Sequence, residues 1–598
     1  MSAETIRHRR AVALAIAVAV ATALALALSR RVHEDGAYES VLRSILSQYP
    51  MPVSVSPDGT RILLKTRHEE DFEIAVHERA SGALLRATRS KDTQLSLTWS
   101  PDGTTLAFIA SRSGNREYRL HLWDLASGTV SRFDTPVTYT AAPPLRWSPR
   151  GDSLALFIGG GLAGDLVLVE TRGESKGSVR VLGRGVSRAD FRWSPDGDRV
   201  AFVSPDNASG ITVADASRHG GAARYVSLPP ESLVQDLAWS PDGNALLVTA
   251  REAADEFFQL EFVRLDTGSV RSVARGAFDI QHPYWLPDGR RWVHEALQQG
   301  LSEVVLSDLT AGDHRTVSDR TVRNQILGVS ASGHEVRLYS SYLDRPPDIA
   351  TLSLSSGDTA TLSSSGKTGT RPELSEVVAA DGVRVPIILW RGASARTDPR
   401  RRLVIIVHGG PHVQELPAWD ARTQALIDEG FSVAAVNYRG STGYGASFER
   451  HEDGHAQAGD IIAAGRHLST VLDVLPERVV LLASSFGALV AADAVRQAPD
   501  LFGALVLLAT VDIPREYCPE TPVRQAVVAF HGQYDPVLAP ARARETLARC
   551  FGDDLFRKRG DAWRVFSDEG HFFQRSGSWA RVYARVVALG RDAVSGRD

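Results

Sequence analysis

Short apolar runs bounded by turn residues recur through the first half of the chain, such as Thr105-Leu106-Ala107-Phe108-Ile109 and Arg199-Val200-Ala201-Phe202-Val203. Their shortness, β-branched and aromatic content and flanking turns predict β-strands rather than helices. A turn of the form Ser-Pro-Asp-Gly, or a near variant, precedes these runs and recurs from Ser56, Ser100, Ser148, Ser194, Ser240, Leu286 and Ser330, at spacings of 44 to 48 residues. Proline presets φ, aspartate bonds back to the local backbone, and glycine takes the positive-φ position. A repeat of this length built from short strands predicts a β-propeller of seven four-stranded blades over about 45–365. Trp99, Trp147, Trp193, Trp239 and Trp285 stand immediately before five of the turns, with Val55 and Val329 before the outer two. They suit apolar contacts between blades, so the repeated tryptophans and aspartates are expected to be structural.

A Ser, Thr and Gly rich stretch over 353–370 reads as the exit from the last blade. Beyond it the pattern changes. From about Leu374 apolar strand-like runs alternate with helical ones: 403–407, then 418–429, then 432–436. This βαβ rhythm predicts a mainly parallel sheet over residues 370–598.

Residues 1–31 differ from both. Arg7, Arg9 and Arg10 precede an uncharged, Ala-rich run over 11–29, closed by Arg30 and Arg31. As a helix the run is about 28 Å long, close to the thickness of a bilayer core. It is read as an uncleaved N-terminal signal anchor helix. The alternative is a cleaved signal peptide, since tripeptides such as Ala25-Leu26-Ala27 offer small-residue cleavage sites. The positive flank keeps the N-terminus inside and exports the rest. The expected location is the inner membrane of a bacterium, with the rest of the chain in the periplasm or outside, or a secreted or periplasmic form after cleavage. A net charge of −4, with 43% apolar and 23% charged residues, fits a folded globular chain and gives no basic surface for nucleic acid. The two cysteines, Cys518 and Cys550, could pair in an oxidising compartment or remain separate buried thiols.

The run Arg478-Val479-Val480-Leu481-Leu482-Ala483 reads as a buried strand, Ser484-Ser485-Phe486-Gly487 as a turn, and Ala488 onward as a helix. A sharp strand-turn-helix exposes a serine hydroxyl at the strand end, and only Ser485 has Gly two residues later. Ala483 replaces the first glycine of the usual Gly-x-Ser-x-Gly pattern. Asp535 and His571 follow in the chain order nucleophile, acid, histidine, each in a loop after a strand. His408-Gly409-Gly410-Pro411-His412 follows another strand and can present backbone N–H groups to an oxyanion, which is assigned to the N–H of Gly410 and of Phe486. The elbow, the chain order and this loop together read residues 370–598 as an α/β-hydrolase domain. No cofactor is implied.

The His-Gly-Gly-Pro-His run, Asn437-Tyr438-Arg439-Gly440-Ser441-Thr442-Gly443-Tyr444-Gly445, the Asp535 loop and Glu569-Gly570-His571 together resemble the prolyl oligopeptidase family, in particular its acylaminoacyl peptidase and dipeptidyl peptidase branches. The resemblance implies hydrolysis of short peptides through an acyl-enzyme, with Ser485 attacking, His571 moving the proton and Asp535 orienting His571. It also implies that the propeller restricts substrate size. The elbow departs from the family's Gly-x-Ser-Tyr-Gly-Gly-like sequence, and the stretch between Ala509 and Pro522 is short for the helical excursion that lines the specificity pocket in relatives. A carboxylesterase using the same triad and a catalytically silent binding protein are the competing readings. His451-Glu452-Asp453-Gly454-His455 matches a zinc motif, but Asp453-Gly454 is a turn dipeptide and the segment reads as a polar loop before a helix near Gln457.

Overall fold

The computed structural model describes residues 51–592 apart from 69–70, 79–80, 82, 87–92, 112–116, 139–143, 159–162, 188–190, 204–208, 218–220, 321, 362–367, 393–400, 452, 522 and 554–561. The expected signal anchor lies outside the described residues. Among those described, no helix is long and apolar enough to cross a membrane.

Seven four-stranded antiparallel sheets follow one another from Met51–Val55 to Thr359–Thr361, one for each repeated turn. Inside the turns the serine hydroxyl donates to the aspartate, at 2.5 Å from Ser56 to Asp58 and 2.6 Å from Ser100 to Asp102, while Gly59 and Gly103 take φ of 75° and 68°. The hydrophobic cores lie between blades. One unites Leu63, Ile74 and Val76 of the first blade with Trp99, Leu106 and Phe108 of the second. The tryptophans do more than fill space. Trp99 donates its indole N–H to Ser54 Oγ at 3.1 Å, and Trp239 donates to the Arg192 carbonyl at 3.0 Å, each on the preceding blade. Arg337 of the last blade donates to the carbonyls of Ser56 and Pro57 of the first, which closes the ring.

The second domain is one eight-stranded sheet. Its strands are β1 (Glu373–Val378), β2 (Arg384–Trp390), β3 (Arg402–Val407), β4 (Phe431–Val436), β5 (Val479–Ser484), β6 (Ala504–Leu508), β7 (Ala526–Gly532) and β8 (Trp563–Phe566). They lie in the order β1-β2-β4-β3-β5-β6-β7-β8, antiparallel over the first two pairings and parallel thereafter. The parallel strands are buried on both faces, as their continuous Val, Leu and Ala runs require. Two cores cover those faces: helices α3 (Gly454–Leu472) and α4 (Phe486–Gln497) on one, α1 (Ala421–Asp428) and α6 (Ser576–Asp592) on the other. Helix α1 begins at Ala421, later than the sequence pattern suggests, because Asp420 caps it and accepts the N–H groups of Arg422 and Thr423.

All loops at the C-terminal ends of the parallel strands lie along one edge, and the propeller meets that edge. Helix α2 (Ala446–Glu449) takes the Glu256 carbonyl on the Ala446 N–H at 2.7 Å, and the Glu256 carboxylate accepts from Ser447 N–H and Oγ, both at 2.9 Å. Arg251, almost fully buried, pairs with Glu449 at 2.5 Å. Trp419 N–H donates to the Tyr342 carbonyl at 2.7 Å.

Candidate active site

Strand β5 ends at Ser484, and the chain turns into α4 through a single residue. Ser485 has φ 52° and ψ −121°, a strained conformation for a residue with a Cβ, which turns its hydroxyl out of the sheet. Its N–H donates to the Leu508 carbonyl on β6 at 2.8 Å, fixing the turn. Gly487 is required two residues on because α4 starts against β3: a Cβ there would lie 2.3 Å from the Val407 oxygen and 2.4 Å from that of His408. Ser484 remains in the ladder opposite Leu508, and Ala483 is fully buried opposite Val407 and Leu507. A methyl at that first elbow position therefore fits the strand.

Ser485 and His571 meet, with Ser485 Oγ 2.9 Å from His571 Nε2. His571 Nδ1 is 2.8 Å from Asp535 Oδ2. Since the carboxylate only accepts, Nδ1 carries the ring proton and Nε2 is left to accept from the serine hydroxyl. Asp535 is 1% exposed, and its other oxygen takes the N–H groups of Val537 at 2.8 Å and Leu538 at 3.2 Å. The three residues selected from chain order thus form a continuous hydrogen-bonded line from β5, β7 and β8.

The loop after β3 crosses directly over the serine. A Cβ on Gly409 would sit 3.1 Å from Ser485 Cβ and 3.7 Å from Oγ, so the glycine lets backbone approach the nucleophile. Phe486 is the first residue of α4, and its N–H has no carbonyl one turn back within the helix. The loop itself is braced from β4. His408 is buried, stacked on Tyr438 with ring centres 4.4 Å apart, and its two nitrogens face the Gly409 carbonyl at 2.6 Å and Ser441 Oγ at 2.9 Å. Tyr438 Oη donates to the His408 carbonyl at 2.8 Å. Burial pushes the pKa of His408 down to about 4, so it is neutral near pH 7. Asn437 closes the far end, accepting the Glu415 N–H and donating to the Glu415 carbonyl. Arg439 forms a bidentate pair with the fully buried Asp460 and also contacts Asp381.

Two residues not singled out from sequence complete the site. Glu569, in the same loop as His571, accepts the N–H groups of Gln574 and Arg575, each at 2.8 Å, and so folds the loop that carries the histidine. His531, on β7, lies beside Asp535. Both belong to recognisable local runs, yet their bonds are made to backbone that only the fold brings near.

The zinc-like run is split. Asp453 caps α3, which starts at Gly454, so His451 precedes the helix, while His455 Nδ1 is 2.8 Å from Asp493 Oδ2 on α4. Among the described residues no group of three or more His, Cys, Asp or Glu is placed to hold a metal ion. Between β6 and β7 the chain makes only a short turn at Arg515–Tyr517, and Cys518 is disulfide-bonded to Cys550 at the end of α5 (Pro540–Phe551).

Residues 417–521 match the model of the prolyl oligopeptidase family. The acylamino-acid-releasing enzyme of Sus scrofa is 29% identical over 139 residues, 23% of this chain and 19% of that protein. The dipeptidyl aminopeptidase BIII of Pseudoxanthomonas mexicana is 26% identical over 253 residues, 41% of this chain and 36% of that protein. The match thus spans about a fifth to a third of these relatives' length. Over nearly the whole chain the fold is that of a puromycin-hydrolysing peptidase of Mycobacterium tuberculosis, with TM-score 0.73 and 18% identity over 91% of this chain and 94% of that one. A structure from a study of two prolyl endopeptidases superposes with TM-score 0.75 and 16% identity, covering 93% of this chain and 92% of that one.

Proposed function

We propose that this chain, which belongs to the prolyl oligopeptidase family of serine-type peptidases, hydrolyses short peptides through an acyl-enzyme on Ser485. The observation that carries the assignment is the line Ser485–His571–Asp535, with both hydrogen bonds under 3 Å and the histidine tautomer dictated by its partners. His571 takes the proton of Ser485 as the hydroxyl oxygen attacks the scissile carbonyl, and Asp535 stabilises the imidazolium. The developing oxyanion is held by the N–H of Phe486 and that of Gly410. The proton then passes from His571 to the leaving amine, and water repeats the sequence on the acyl-enzyme.

The propeller acts as a size filter. In support, the catalytic edge carries the contacts to Arg251, Glu256 and Tyr342, so the site opens toward the propeller rather than to open solvent. The basic flank and apolar run of residues 1–31 support export of the chain, with the segment as anchor or cleaved signal.

A cleavage profile on a peptide mixture, read by mass spectrometry for the wild-type and Ser485→Ala proteins, tests the assignment. Peptide bonds cleaved by the wild type alone are expected. Hydrolysis of simple esters with no peptide cleaved would instead favour the carboxylesterase reading.

A further inference from the structure

The loop that carries the catalytic histidine holds two adjacent phenylalanines in opposite surroundings. Phe573 is buried, edge-on to Phe566 with ring centres 5.2 Å apart and near Trp579 at 5.9 Å, and its carbonyl accepts the Trp579 indole N–H at 2.9 Å. Phe572 is 56% exposed, and among the described residues no other phenylalanine stands so open. Burial is what rewards a phenyl ring in a folded chain, and Phe572 goes without it. Its place is nevertheless fixed. The ring stands at 84° to that of His571 with centres 5.2 Å apart, the Phe572 carbonyl accepts from Gln574 Nε2 at 3.3 Å, and the Gln574 N–H is held by Glu569 at 2.8 Å. Two more large apolar side chains stand exposed on the catalytic loops, Val413 shortly after Gly410 and Val537 shortly after Asp535.

The chemistry of the triad decides which part of a substrate meets Phe572. The acyl oxygen goes to the N–H of Phe486 and Gly410, and the leaving nitrogen has to come within hydrogen-bond reach of His571 Nε2 to collect its proton. The residue that follows the scissile bond therefore lies against His571, and Phe572 is the exposed side chain beside that ring.

We infer that Phe572 is a specificity contact for the residue after the scissile bond and selects a large apolar side chain there, aromatic or branched aliphatic. Such a side chain covers the ring and takes both surfaces out of water, whereas a polar or charged one would lose its own hydration against the phenyl face. The charges of the loop are engaged elsewhere: Asp568 pairs with Arg575 at 2.6 Å, and Glu569 accepts the N–H groups of Gln574 and Arg575. The preference applies to cleavage near a chain end and within a chain alike, because a residue follows the bond in both.

The inference rests on the serine peptidase reading, and one experiment separates the two. A bond that the full wild-type chain cleaves is taken from its cleavage profile, and peptides are made that differ only in the residue after it: Phe, Leu, Ser or Asp. Values of kcat/KM are measured for wild type, Phe572→Ala and Phe572→Leu, with active sites counted by fluorophosphonate labelling. The wild type is expected to favour the Phe and Leu peptides over the Ser and Asp peptides by roughly tenfold or more. Phe572→Ala is expected to lose most of that ratio and Phe572→Leu to keep most of it. All four peptides meet the same triad, so damage to the fold or to the histidine loop lowers every rate and leaves the ratio where it was. A wild type with no preference for Phe and Leu, or a ratio that Phe572→Ala leaves intact, overturns the inference. Should Phe572→Ala yield no labelled protein, Phe572→Gln takes its place, with the same loss of ratio expected. Absence of Ser485 labelling, or of any cleaved peptide, in the wild type overturns the peptidase reading itself.

Discussion

At the scale of the residue, the account turns on which serine is strained. Ser485 alone has the positive φ of an elbow and the bond to His571, whereas Ser484 stays in the sheet. Ser485→Ala is expected to remove several orders of magnitude of turnover and all fluorophosphonate labelling while thermal unfolding stays where it was. Ser484→Ala is expected to keep most activity, and loss of labelling there instead would move the nucleophile. Gly487 admits a second test. An added methyl meets two carbonyl oxygens of the β3 end, so Gly487→Ala should cost on the order of 1 to 3 kcal/mol of stability together with most activity. A variant as active and stable as the wild type would contradict this packing. Buried neutral histidines set a pH dependence as well. His294 of the propeller has its pKa pushed down to about 3 by burial, with His314 adding to it, and His408 to about 4. Unfolded, both would bind a proton near pH 6.5 that the folded chain refuses, so stability should fall as pH drops from about 6.5 toward 4. Thermal unfolding between pH 7 and 5 should show a falling midpoint with a shallower slope in His294→Leu, and equal slopes would refute the assignment.

Elements show what the sequence can and cannot reveal. The seven turns were legible because each one encodes its own geometry locally, and Ser485, Asp535 and His571 because the strand, turn and chain order announce them. Helix starts shifted by a few residues where a capping aspartate decides, as at Asp420 and Asp453. Glu569 and His531 escaped because their partners are backbone groups met only in the assembled loops. The cysteines were equally ambiguous, since pairing requires that the turn after β6 and the end of α5 lie side by side. They do, with Cα atoms 4.6 Å apart across a separation of 32 residues. A closed loop of that length is worth about 2 to 4 kcal/mol. Reduction should lower the unfolding midpoint, and titration of the denatured, unreduced protein from an oxidising compartment should find no free thiol. Two thiols per chain would contradict the bond.

For the whole molecule, the proposed size filter rests on where the two halves meet. Blade contacts made by Arg251, Glu256 and Tyr342 fall on the loops that follow β3 and β4, on the edge that carries the catalytic residues. An enclosed site excludes water from the oxyanion and limits what can enter. The most direct measurement follows one mixture over time: a peptide of under about ten residues, roughly 33 Å when extended, a long unfolded polypeptide and a folded protein. Cleavage is read by mass spectrometry with the wild-type and Ser485→Ala chains side by side. The account predicts rapid cleavage of the short peptide, slow or no cleavage of the long unfolded chain, none of the folded protein, and none at all with Ser485→Ala. Comparable cleavage of all three, or peptide cleavage that survives in Ser485→Ala, would contradict it.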